Sequence, residues 1–151
     1  MPSALSFSNQ QYYGNPNNSF WWVMSDLLKF SLELGYSERV KKLETSPFAV
    51  WDVLKFCDRE GSLDSSIIRS SEIPNNIAGF LGAYKSVELL AFNGAAAKNI
   101  YQRHCAETVI NTLRNQDPPK LIQLPSTSPA YASMKKQEKR DHWFDAFSNY
   151  L

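Results

Sequence analysis

Val87-Glu88-Leu89-Leu90-Ala91-Phe92-Asn93-Gly94-Ala95-Ala96-Ala97 decides the fold. Residues 87–92 form a short apolar run of the kind buried in a parallel sheet. Asn93-Gly94 breaks the run, and the small alanines open a helix that continues towards His104. A second helix fits residues 106–114, Pro118 and Pro119 interrupt, and residues 121–124 read as a last short strand. Strand, helices and strand in that order predict an α/β fold, a three-layer α/β/α arrangement around a short, mainly parallel central sheet. Residues 87–92 and 121–124 are expected to be neighbouring buried strands. Ligands of such sheets bind beyond the carboxyl ends of the strands, which draws attention to Phe92-Asn93-Gly94 and to the loop after residue 124.

Working outward, residues 49–57 (AVWDVLKFC) mix apolar and β-branched types and read as a strand that includes Asp52. Residues 58–66 are polar and loop-like. Pro74 and Asn75 precede a short helical pattern over 77–84. Residues 1–18 are turn-rich and read as an ordered loop. Asn17, Asn18 or Ser19 can cap a helix carrying Phe20, Val23, Met24, Leu27 and Leu28, which is expected to end near Gly35. A loop over 125–133 leads to a C-terminal helix with Trp143, Phe147 and Tyr150 on one face.

The bulk numbers fit this plan. A chain of 151 residues, 43% hydrophobic and 21% charged, fits one domain spanning 1–151 and can bury a core. No apolar run approaches a membrane span and no signal peptide opens the chain. Two cysteines are too few for a disulfide framework, so a cytoplasmic protein with reduced thiols is expected. A net charge of +1 gives no global argument for a nucleic-acid partner, so any such contact must use a local patch. His104 and His142 stand apart from the cysteines without zinc-ligand spacing, and no phosphate-cradling glycine loop is present, so no cofactor or metal is expected.

Three segments carry candidate chemistry. Residues 11–21 (QYYGNPNNSFW) pack four aromatics and three asparagines just before a helix. They read either as a helix cap with core anchors or as a pocket wall, where a tyrosine face stacks on a planar ligand and an amide orients water. Asn93 is either an N-cap or an amide offering donor and acceptor to a heterocycle edge. Residues 124–132 (LPSTSPAYA) are either a surface turn or a run of hydroxyls and backbone N–H groups suited to phosphate. Nearby Lys135, Lys136, Lys139 and Arg140 read equally as a solvated face or as backbone-binding charge. Asp52 is a reserve general base.

In this order, Tyr12-Tyr13-Gly14-Asn15-Pro16-Asn17-Asn18-Ser19-Phe20-Trp21, Phe92-Asn93-Gly94 and residues 125–132 resemble the motifs of the uracil-DNA glycosylase superfamily. With Trp51-Asp52-Val53 and residues 57–64 (CDREGSLD), the set is most similar to its hypoxanthine-DNA (deoxyinosine) glycosylase branch, over essentially the whole chain. The resemblance implies a monofunctional glycosylase that flips a deaminated base out of double-stranded DNA, hypoxanthine favoured over uracil or xanthine, and acts as a monomer. It implies that Tyr13, with Tyr12 and Phe92, binds the base, that Asn93 bonds its edge, and that Asn18 holds the attacking water. Tyr13 and Asn93 are then expected to face one cavity. Ser126, Thr127, Ser128, Ala130 and Tyr131 would contact DNA. Two departures stand out. The position matching a catalytic Asn of the mismatch-specific relatives is Met1, before Pro2. The family also has a strand ending just there, so the first strand of the sheet is expected to be missing, with a slot in its place. The rival readings are a nucleoside hydrolase-like enzyme and a non-catalytic nucleic-acid-binding module.

Overall fold

The computed structural model describes residues 3–151, apart from the side chain of Ala4. Met1 and Pro2, where one departure falls, lie outside the described residues. The chain divides into two compact units, one formed by Asp52–Leu124 and the other by residues 3–51 together with Pro125–Leu151.

The second unit is helical: α1 (Ala4–Ser8), α2 (Phe20–Leu27), α3 (Tyr36–Glu44) and α7 (Lys136–Phe147). Phe20, Trp21, Val23, Met24 and Leu27 recur on the inward side of α2, and all are buried. Trp143 and Phe147 of α7 are buried as well, and the Trp143 ring meets Phe20 edge-on at 6.1 Å. Each such side chain stabilises the unit by about 1.5–3 kcal/mol. Three expectations change here. Residues 1–18 were expected to hold no element, yet Ala4–Ser8 is a turn of helix whose N-cap, Ser3, accepts from the Ser6 amide. The helix expected to run to Gly35 ends at Leu27, with Lys29 in the left-handed region. Gly35 instead opens α3, its amide donating to Glu38 Oε2 at 2.9 Å.

The first unit carries the strands. β1 (Leu54–Phe56) pairs antiparallel with β2 (Ile73–Pro74). After α4 (Ile77–Ala83) comes β3 (Leu89–Asn93), then α5 (Ala95–His104), α6 (Ala106–Thr112) and β4 (Lys120–Leu124). β3 and β4 are parallel and in register from Leu89 opposite Lys120 to Asn93 opposite Leu124. A parallel pair requires a long crossover, and α5 and α6 supply it. The α/β class and this neighbouring parallel pair are as the sequence predicts. Burial is more limited than expected: Phe92 and Leu124 are buried, but Leu121 is 51% exposed. Among the described residues the strands form two separate two-stranded sheets. Asp52 lies ahead of β1 rather than within a strand, because the ladder begins only at Leu54. Ala78, Leu81, Phe92, Tyr101, Cys105, Val109 and Leu113 form the unit's core.

Candidate active site

In the helical unit, hydrogen bonds fasten residues 11–21. The Gln11 amide donates to Ser6 O at 2.9 Å, and the Gly14 amide donates to Ser6 Oγ at 3.0 Å. The Tyr12 amide donates to Tyr36 Oη and Trp21 Nε1 donates to Tyr12 O, each at 3.0 Å. Tyr13 is thereby held at φ +53°, a left-handed conformation that costs a non-glycine residue roughly 1–2 kcal/mol. In return its ring lies on Phe20, centroids 3.9 Å apart and planes within 18°. Gln10 and Lys29 share the left-handed conformation, so the strain at Tyr13 does not by itself mark a site.

Asn18 is bonded through both its backbone and its side chain. Its amide N–H donates to Asn15 O, and its side-chain Oδ1 accepts from the Phe20 amide, both at 2.9 Å. Ser19 is the N-cap of α2 and makes no side-chain cap bond, and the Asn18 bond to the first helical amide fixes the direction of the carboxamide. The next residue, Ser19, is buried, and both its amide and its hydroxyl donate to Thr127 O, at 3.0 and 3.1 Å.

Those bonds reach the Ser/Thr/Pro loop of the same unit. Pro125 O accepts from Trp143 Nε1 at 3.0 Å. Ser128 O and Tyr131 O accept from Lys139 Nζ at 3.3 and 2.6 Å. Ser126 Oγ and Ser128 Oγ accept from the amides of Ser128 and Ala130, each at 3.2 Å. The expected basic cluster is not a uniform patch. Lys139 is buried, and burial pushes its pKa down. Arg140 pairs with Asp141 and Asp26, and Lys136 sits 4.4 Å from the centre of the Trp22 ring.

In the strand-bearing unit, Asn93 is the last residue of β3 and is partly exposed. Gly94, not Asn93, occupies the N-cap of α5, at φ 97° and ψ 165°, where a side chain would be strained. Its amide donates to Leu124 O at 3.0 Å, tying the two strand ends. A capping role does not account for Asn93. Phe92, beside it, is buried against Tyr101, with ring centroids 4.9 Å apart.

Sequence reading missed one polar cluster in this unit. The Glu72 side chain is 2% exposed and receives both Arg103 Nη2 at 3.0 Å and His104 Nε2. Burial raises the Glu72 pKa, but the His104 and Arg103 hydrogen bonds outweigh it, and the net shift is downward. Its signal was faint, because Glu72 and His104 are 32 positions apart. Among the described residues no group of three or more His, Cys, Asp or Glu side chains could hold a metal ion, and no helix is long and apolar enough to cross a membrane.

No family profile matches the chain. Two curated relatives do, both named hypoxanthine DNA glycosylase. The one from Methanosarcina acetivorans is 37% identical over 98 residues, 64% of this chain and 61% of its own length. The one from Methanosarcina barkeri is 32% identical over 95 residues, 62% of this chain and 59% of its own. The chain thus spans about three fifths of the length of these relatives. They support the resemblance to the hypoxanthine-DNA glycosylase branch drawn from the motifs.

Proposed function

We propose that this chain is a DNA base-excision repair glycosylase that hydrolyses the N-glycosidic bond of a deaminated base, hypoxanthine first, flipped out of double-stranded DNA. The observation that carries this reading is the 37% identity to a relative named hypoxanthine DNA glycosylase. The local geometry of each unit is compatible with it.

Flipping costs a few kcal/mol, less for a mispaired base. The Tyr13 ring, backed by Phe20 and flanked by Tyr12, supplies a stacking face that offsets part of that cost. In the strand-bearing unit, taken by itself, the Asn93 carboxamide is the kind of group that recognises the oxo edge of a heterocycle. As the glycosidic bond lengthens, its electron pair leaves with the base, and positive charge develops at C1′ of the sugar. A water oriented by the Asn18 amide adds there, and the base gains a proton at its freed nitrogen as the water loses one. A carboxamide is too weak a base to deprotonate water early, so this site suits a dissociative path in which bond breaking leads. Thr127 is buried and falls out of the DNA-contacting set, which leaves Ser126, Ser128, Ala130 and Tyr131, with the Ser126 and Ser128 hydroxyls suited to phosphate oxygens.

A duplex carrying a single deoxyinosine tests the reading under single-turnover conditions, with free inosine in parallel. Release of hypoxanthine from the duplex, with free inosine untouched, is expected. Hydrolysis of free inosine would favour a nucleoside hydrolase. Binding of the duplex without base release would reduce the chain to a non-catalytic module.

A further inference from the structure

We propose that Lys139 is a positioning residue of the DNA-contacting loop: its buried ammonium draws the carbonyls of Ser128 and Tyr131 inward so that the loop meets phosphate with its donors. This deepens the glycosylase reading and rests on it.

The loop shows a consistent polarity. Pro125 O, Thr127 O, Ser128 O and Tyr131 O all accept hydrogen bonds from buried side chains: Trp143, Ser19 and, for the last two, Lys139. Four carbonyl dipoles therefore have their negative ends turned away from solvent. Ser126 Oγ and Ser128 Oγ already accept from backbone amides, and a hydroxyl that accepts keeps its proton for an outside acceptor. Carbonyls drawn in and hydroxyl protons left to give make a loop suited to an anionic backbone without any formal charge on it.

Lys139 is the strongest of these fasteners. It is 5% exposed, it bonds two carbonyls three residues apart in the chain, and its Nζ lies 5.0 Å from the centre of the Tyr131 ring. A buried ammonium is costly unless its protons are taken up, and the loop carbonyls take them up. Sequence reading placed Lys139 with the solvent-facing or phosphate-binding cations. Its burial fits neither role.

The test is Lys139→Met, which keeps the aliphatic stem and removes the charge. Two measurements are made on the 151-residue chain: amide hydrogen exchange, and affinity for a deoxyinosine duplex as a function of salt. Exchange at Ala130 and Tyr131 should accelerate about tenfold or more, while Val23 and Met24 in α2 stay protected. Affinity should fall about tenfold, the scale of a lost hydrogen bond to a charged group, with the salt dependence unchanged. Direct phosphate contact by Lys139 would instead reduce the slope of log K against log salt by about 0.9, and that result overturns the proposal. Equal acceleration throughout α2 would make Lys139 a general stabiliser and overturn it too, as would a loosened loop with intact affinity. Wild-type chain that binds no duplex would end the glycosylase reading, and the exchange measurement alone would then decide whether Lys139 holds the loop.

Discussion

Asn18 holds the start of α2, and substitution separates that structural role from the chemical role proposed for it. Its Oδ1 is bonded to the Phe20 amide, so Asn18→Ala removes a hydrogen bond to the first turn of α2 worth about 1 kcal/mol. If that bond were its whole contribution, base release would track that small loss of stability. If it also orients water, a folded, DNA-binding Asn18→Ala should release hypoxanthine roughly 10²-fold more slowly, the low end for a positioned catalytic group. Asn18→Asp keeps the accepting oxygen and supplies a carboxylate base, so it should fold normally and change the rate in a way that bond alone would not. Near-normal release by Asn18→Ala would move attention to Asp52. At this scale the sequence was informative about residue type and poor about environment. Residues 11–21 announced a cap or a pocket wall, and the geometry supplies an Asn18 bond to the first amide of α2 in place of a side-chain bond from the N-cap Ser19. Nothing in the one-letter code told Lys139 from Lys136, because burial is decided by which distant segment packs above a side chain.

Among the elements, legibility followed burial. α2 and α5 declare themselves through apolar spacing, and β3 and β4 through short apolar runs between breakers. α3 was missed because none of its residues is buried, so no stripe exists to read. Its one signal was Glu38 placed to reach back to Gly35. The carboxyl end of α5 shows what tertiary contact adds. Arg103 and His104 lie in its last turn, where cations suit the helix dipole, and both bond Glu72 at the threshold of β2. A carboxylate oxygen only accepts, so His104 Nε2 carries the proton in that pair. The Glu72 pKa is lowered in the folded state, so its stabilising contribution is complete above the unfolded carboxyl value of about 4.3. It fades as pH falls below that value and through the folded pKa. Glu72→Gln should therefore be less stable than wild type at pH 7 and should lose less stability on acidification from pH 5 to pH 3. Chemical denaturation at a series of pH values reads both effects. Parallel stability curves for the two proteins would show that the cluster contributes nothing through charge.

For the molecule as a whole, local pattern has a natural limit. Periodicity along the chain gives helices and strands, but not the fact that residues 3–51 and Pro125–Leu151 close one helical unit from both ends of the sequence. The bond between Ser19 and Thr127 spans 108 positions, and no period of two or 3.6 residues encodes such a meeting. What did carry across that distance was the order of three motifs, which is a family signal rather than a physical one. The expected activity has a consequence for the chemistry of the entire chain. A glycosylase that also cuts DNA does so through a lysine amine that displaces the base at C1′ and forms an imine with the opened sugar. Lys139 is the residue to weigh for this, since burial lowers its pKa and favours the neutral amine. Its ammonium protons, however, are bonded to Ser128 O and Tyr131 O, and freeing the nitrogen would release the loop it holds. Water is therefore the expected nucleophile, and the products should be free hypoxanthine and an uncut strand with an abasic sugar. Borohydride added during turnover on a deoxyinosine duplex should trap no covalent protein–DNA adduct, and the strand should break only after alkali. A trapped adduct that disappears in Lys139→Met would make Lys139 the nucleophile and the enzyme a lyase.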